Sequence, residues 1–454
     1  MKKKGTVLIF AYECYPHNRI GSAIGAQRPF QFAKKLSALG WKVIVLCSDH
    51  EERNTLHLKN LKAAVYGLYQ THRLLLAEQD YSIVPLPSLS HYGLSDYLWQ
   101  KTIIKGTGGT YLGKGFPYSI LRKATTFYNQ LFHGDYSWSW VPLAEAFFET
   151  LIKEHKVDII IGEHSPDAGI ILADKCSRKH SIPWVADFRD PVLWPFKGLL
   201  KLLYKPVVKR IVSSASTVIS VNPYWSSLDA LLFQKQTHVL LNGYDKTLFE
   251  SVNAYHFDKF TVSYFGSFDD QFQDIIPSLK AFFELLKWKN FPKDITLFYR
   301  GLKHAEFVKH ALSCGMPIDS LDVQEFCERE TSIAYMKGSH VLLIYSIPSY
   351  RKSNVYEQEG FYPGKVFEYI GTGNPILLVP SDDGLLDALI CAENIGTSAA
   401  TVAEATSFLE DQYRVWSLGN GIDKKPSPNI LKYSREGQAT ELDKILTTVL
   451  QSNR

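Results

Sequence analysis

The stretch FYPGKVFEYIGTGNPILLV, residues 361–379, joins a short helix to an apolar strand. Pro363 suits a first helical turn, because it lacks the N–H that would go unsatisfied there and its φ is already helical. Val366, Phe367 and Ile370 fall on one stripe, while Lys365 and Glu368, three apart, share another face. Gly371 and Gly373 stop the helix, and Pro375 leads into a buried strand from Ile376 to Val379. Amides at the helix start, the positive end of its dipole and Lys365 together favour an anion such as phosphate. Glu368, one turn on, has acceptors for both hydroxyls of a vicinal diol such as a ribose. The same residues also read as a solvated Lys–Glu pair on an ordinary helix.

The helix–strand alternation continues outward in both directions. TVLIFAY (6–12) and WKVIVLCS (41–48) read as strands, separated by a helix with Phe32, Leu36 and Leu39 on its inner stripe and Gly40 at its end. Further strands are predicted at 157–163, 182–191, 216–221, 237–245, 260–268 and near 294–299, 321–325, 340–345 and 375–379. Ser165 is predicted as the N-cap of the helix after 157–163. Residues 51–150 are less regular, with GTGGTYLGKG (106–115) as a glycine-rich loop and an aromatic cluster, HGDYSWSW, at 133–140. Such alternation is the pattern of parallel sheets covered on both faces. The expected fold is α/β, two doubly wound Rossmann-like domains facing an interdomain cleft. The expected bounds are 1–248 and 249–435, with a final helix over 436–454 able to return to the first domain.

At 454 residues the chain is too long for one core, and 45% hydrophobic with 21% charged residues is the composition of a globular protein. A net charge of +4 is too small to argue for nucleic acid. Six scattered cysteines have neither paired nor metal-ligand spacing, which suits a reducing cytoplasm. The opening MKKKGTVLIFAYECYP reads as a strand, not a signal peptide, and no run reaches a membrane-spanning length.

Ligands on such sheets sit beyond the carboxyl ends of the strands. Candidates there are glycine-loop amides at Gly21 and Gly266, the charged turn DFRDP with Asp187, Arg189 and Asp190, and His164 at another strand end. An Arg189–aspartate ion pair that fixes the turn is the structural alternative. FKGLLKLLYKPVVKRIV (196–212) interleaves five cations with apolar residues. It fits either an anionic membrane surface or a helix covering the sheet with a solvated basic face.

GAQRPFQFAKKLSALGWKVIVL, IPWVADFRDPV, LLNGYD, VSYFGSF and PGKVFEYIGTGNPILLV occur in one order over nearly the whole chain. In that order they resemble bacterial glycosyltransferases of the B fold, in the family 4-like group. The resemblance implies a nucleotide-sugar donor held by the second domain and a saccharide or lipid-linked acceptor held by the first. It also implies transfer with retention and no metal or cofactor, in cell-surface polysaccharide assembly. Glu368 matches the second glutamate of the family's pair, which binds the donor ribose. The first falls at Gly360, with Glu357 and Glu359 close by. Lys365 and the Gly364 amide would face the diphosphate. A family arginine is replaced by Ser267, leaving Arg300, Arg351 or Lys352 to supply charge, with Asp269, Asp270 and Asp274 nearby. Asp187, Asp190 and His164 join Lys365 as catalytic candidates, with Arg189 and Trp194 on the acceptor side. A non-hydrolysing nucleotide-sugar epimerase and a degenerate sugar-nucleotide binder that recruits a partner enzyme are the alternatives.

Overall fold

Apolar runs become the strands of two parallel sheets in the computed structural model. It describes every residue except 1–3, 19–22, 50–60, 88–134, 195, 197, 291, 353–358, 360, 420–427 and 454. Gly21, Glu357, Gly360, the loop at 106–115 and the start of 133–140 therefore lie outside the described residues.

The first sheet contains β1 (Gly5–Phe10), β2 (Trp41–Ser48), β3 (Tyr81–Leu86), β4 (Ile159–His164), β5 (Trp184–Phe188), β6 (Thr217–Ser220) and β7 (Thr237–Val239), in the order β3-β2-β1-β4-β5-β6-β7. Val7 of β1 stands beside Val43 on one side and Ile159 on the other, and all pairings are parallel. The strands at the centre are buried on both faces, as their mostly apolar sequences require. One face packs against Phe147, Phe148, Ile170 and Leu172. The other packs against Phe32 and Leu36 together with Leu442, Ile445, Leu446 and Val449 of the helix Arg435–Ser452. Asp443 of that helix accepts from Lys4 Nζ at 2.7 Å and from Trp41 Nε1 at 2.7 Å.

The second sheet contains β8 (Phe260–Phe265), β9 (Ile295–Arg300), β10 (Leu321–Gln324), β11 (Val341–Ile344), β12 (Ile376–Leu378) and β13 (Gly396–Ser398), in the order β10-β9-β8-β11-β12-β13. Its core gathers Val262, Leu297, Leu343 and Leu377 from the strands with Leu279, Phe282 and Leu409 from flanking helices. The chain forms two compact units, residues 1–241 with 439–454, and residues 242–438. In each sheet the strand order reverses direction once, at β1/β4 and at β8/β11, and such points are where open α/β sheets present ligand crevices.

Three local expectations change. The helix after β4 starts at Ala168, not beside Ser165, and Ser165 does not cap it. Its first amides are taken over long range: Asp167 N–H donates to Asp135 Oδ2 at 2.6 Å and Ala168 N–H to Ser137 Oγ at 3.1 Å. Gly371 does not end its helix but lies inside Lys365–Thr372, where a Cβ would stand 2.6 Å from the Tyr244 ring. Gly373, at φ 72°, is the residue that ends it. Strands β3 and β13, absent from the sequence reading, are the outermost strands of their sheets.

Candidate functional site

In the second unit, the site grows from two glycines and one lysine. The helix Lys365–Thr372 buries Val366, Phe367 and Ile370, which fixes the face that Lys365 presents. Lys365 does not pair with Glu368. Its Nζ turns inward, donating to the Tyr264 hydroxyl at 2.8 Å and the Phe265 carbonyl at 2.6 Å, with the Tyr264 ring 4.1 Å away. The Tyr264 hydroxyl donates in turn to the Ser267 carbonyl at 2.8 Å. Burial of the ammonium lowers its pKa to about 7, against a small opposing pull from Glu368.

Gly266, at φ +97°, makes this seat possible, because a Cβ there would stand 2.9 Å from the lysine nitrogen. Its own amide, expected from sequence to face a phosphate, donates instead to the Arg300 carbonyl at 2.8 Å. Its carbonyl accepts from Tyr299 at 2.8 Å. The glycine leaves room for the cation. Gly364 opens the helix with no side chain capping it. The helix Leu385–Glu393 contrasts with it, since Asp382 already takes the amides of Gly384, Leu386 and Asp387 at 3.0–3.3 Å.

The neighbouring charges are committed elsewhere. Arg300 is buried, stacked on Phe298 and bonded to the carbonyls of Tyr299 and Asp322 and to the Asp322 carboxylate. Arg351 holds the carbonyls of Asp270 and Gln273, and Lys352 holds Glu359 and the Asp382 carbonyl. Asp269 and Asp274 accept from the amides of Gln271 and Ile276 two residues on, which makes them turn and cap residues. Ser267 is exposed beside them. Glu368 Oε1 accepts from Arg329 at 2.7 Å, a partner that no sequence signal announced.

In the first unit the carboxyl ends of β1, β4 and β5 gather Glu13, Glu163, His164 and Asp187, all buried. Asp187 is held by one edge of Arg28, from Nε at 2.9 Å and Nη2 at 2.8 Å, while Arg28 also donates to the carbonyls of Leu240 and Leu241. That bidentate lock occupies both carboxylate oxygens of Asp187. Arg189 reaches Glu163 at 3.2 Å and Asp190 at 3.5 Å and donates to the Ser165 carbonyl at 2.6 Å. Its guanidinium passes over Gly25, where a Cβ would lie 2.5 Å from Nη1. Of the two aspartates, Asp190 alone is exposed, by 54% of its side chain. His164 is buried, its Nδ1 2.9 Å from Asp167 Oδ1 and its ring 5.4 Å from Phe188. Burial alone would lower its pKa, but Asp167, Asp190 and Asp135 outweigh that and raise it. Neither ring nitrogen makes a hydrogen bond of good geometry among the described residues. Trp194 stands edge-on to Trp225 at 6.2 Å and is partly exposed.

No family model matches the chain, and no curated protein does either. Solved structures match along its whole length. A glycosyltransferase from Rickettsia africae aligns at 12% identity over 98% of this chain and 99% of its own, with a TM-score of 0.57. Anabaena HepE, solved with UDP-glucose, aligns at 12% identity over 98% and 100%, with a TM-score of 0.54. Sucrose-phosphate synthase from Thermosynechococcus elongatus aligns at 12% identity over 99% and 100%, with a TM-score of 0.56. At such identities the likeness is one of architecture. The chain is α/β, with two Rossmann-like sheets of seven and six parallel strands, and it has the glycosyltransferase B fold.

Proposed function

We propose that the protein is a family 4-like bacterial glycosyltransferase that moves a hexose from a nucleoside diphosphate to a saccharide or lipid-linked acceptor. The reaction proceeds with retention and without metal or cofactor, in cell-surface polysaccharide assembly. The observation that carries this reading is the seat of Lys365: a half-buried amine against Gly266, beside an uncapped helix start, at the carboxyl end of β8. The fold shared with HepE, a protein solved with UDP-glucose and with UDP, supports the same donor class.

Breaking the sugar–phosphate bond places negative charge on a departing diphosphate. Donors fixed before the reaction stabilise that charge more than they stabilise the substrate. Lys365 gains its proton fully when the diphosphate arrives, and the Gly364 end of the helix adds its dipole. Glu368 keeps Oε2 for the ribose while Arg329 holds Oε1. On the acceptor side, exposed Asp190 takes an acceptor hydroxyl, Arg189 orients it, and Trp194 offers a stacking face.

Calorimetric titration with UDP-, GDP-, ADP- and dTDP-glucose tests this. One of them binds, and turnover with acceptor then gives an unchanged anomeric configuration, insensitive to a chelator. Folded protein that binds none of the four overturns the reading. Conversion of the donor to an epimer without acceptor would replace it with the epimerase, and binding without turnover with the recruiting partner.

A further inference from the structure

The helix Gly198–Val212 carries two apolar stripes where a covering helix needs one. Tyr204, Val208 and Val212 are buried in the core of the first unit, with Leu200 and Ile211 packed partly against it. Leu199, Leu202, Leu203 and Val207 point the other way, exposed by 70%, 70%, 50% and 48%. Their spacing of three and four residues places them on one face. Single exposed apolar residues are ordinary, but a row of four aliphatic side chains on one helix is not. Lys205 and Lys209 line one flank, Arg210 falls within the outward stripe, and the helix has no acidic residue.

We propose that this face rests on an anionic phospholipid surface, the aliphatic row entering the acyl boundary and the cations lying among the headgroup phosphates. The charge pattern selects that occupant. A protein partner covering the stripe would have to bury Arg210 against apolar packing, whereas a lipid phosphate pairs with it where it stands. No helix among the described residues is long and apolar enough to cross a membrane, so the contact is one of lying on the surface. The inference does not depend on the transferase reading, because its test reads partitioning and not catalysis.

The full chain is sedimented with vesicles of phosphatidylglycerol and phosphatidylcholine, and with vesicles of phosphatidylcholine alone. Binding to the anionic vesicles exceeds binding to the neutral ones roughly tenfold and weakens in high salt. Leu202→Glu with Leu203→Glu abolishes it, and so does Lys205→Glu with Lys209→Glu, which leaves the aliphatic row intact and guards against a folding defect in the first pair. Equal binding to both vesicle types, no binding, or binding that survives both pairs overturns the proposal. So does light scattering that shows a dimer which the leucine pair dissolves, since the stripe would then belong to a second copy.

Discussion

Lys365 owes its properties to residues about a hundred positions away. The Pro-Gly-Lys turn and its stripe of Val366, Phe367 and Ile370 were legible, because helix starts are written in neighbouring residues. That the lysine turns inward was not, since it depends on Gly266 having no side chain and on Tyr264 standing where its hydroxyl can accept. The same limit hid the Arg28–Asp187 lock and the Arg329–Glu368 pair, each joining segments far apart in the chain. The seat has a measurable consequence. With its pKa lowered to about 7 by burial, Lys365 is charged below neutrality and largely neutral above it. A bound diphosphate requires the charged form, so affinity falls as pH rises through 7, approaching about tenfold per pH unit. Calorimetry with UDP from pH 6 to 9 shows this slope, and Lys365→Met removes it together with most of the affinity. An unchanged slope in the variant would show that another group carries the proton.

Elements were read well where their signal is a mostly apolar run, and two of the four edge strands, β3 and β13, escaped. The central strands β1, β4, β5 and β8 are buried and mostly apolar, with the charged residues of β4 and β5 at their carboxyl ends, and the predicted spans overlap them. Strand β3 escaped because YSIVPL is partly exposed and contains Pro85, a residue that an edge position tolerates. Strand β13 is three residues long and gives no periodicity. The helix Ala168–His180 was placed early for a related reason, since its cap comes from Asp135 and Ser137 and not from the adjacent Ser165. The end of β4 supplies a test at this scale. Burial raises Glu163 to about 8, with Arg189 opposing and Asp187 and Glu13 adding to the rise. Between its ordinary value near 4.5 and about 8, the unfolded chain has released a proton that the folded chain retains. Stability therefore falls as pH rises across that window. Asp135 and Asp229, raised by burial to about 6 and about 7, act in the same direction. Lys365, lowered to about 7, acts the opposite way above that pH, so the contribution is read as a difference between melting curves: going from pH 5 to pH 8 costs the wild type more stability than it costs Glu163→Gln. An equal cost in the variant removes Glu163 from the account.

At the scale of the molecule, the chain's last helix belongs by packing to its first sheet. Arg435–Ser452 follows directly on the second unit, yet Leu442, Ile445, Leu446 and Val449 complete the apolar layer over Val7, Ile9, Val43 and Val45. The sequence reading allowed this amphipathic helix to return to the first domain, but amphipathy alone does not name the residues that its apolar stripe covers. The partners had to be seen, and Asp443 holding both Lys4 and Trp41 marks them. Each fully buried aliphatic side chain contributes about 1.5–3 kcal/mol, so four of them rival the net stability of a domain, about 5–15 kcal/mol. Removing residues 439–454 uncovers one face of the first sheet and takes no residue from the second unit. The truncated chain is therefore expected to lose the unfolding transition of residues 1–241 at 37 °C, measured by differential scanning calorimetry, and to aggregate through the exposed face. Residues 242–438 keep their own transition, and UDP still raises its midpoint, because Lys365, Gly266 and Glu368 all lie within them. If the truncation leaves both transitions where they were, the helix is an accessory to the first sheet and not part of its core. If the UDP shift disappears although the second transition survives, nucleotide binding needs more than the lysine seat of the second unit.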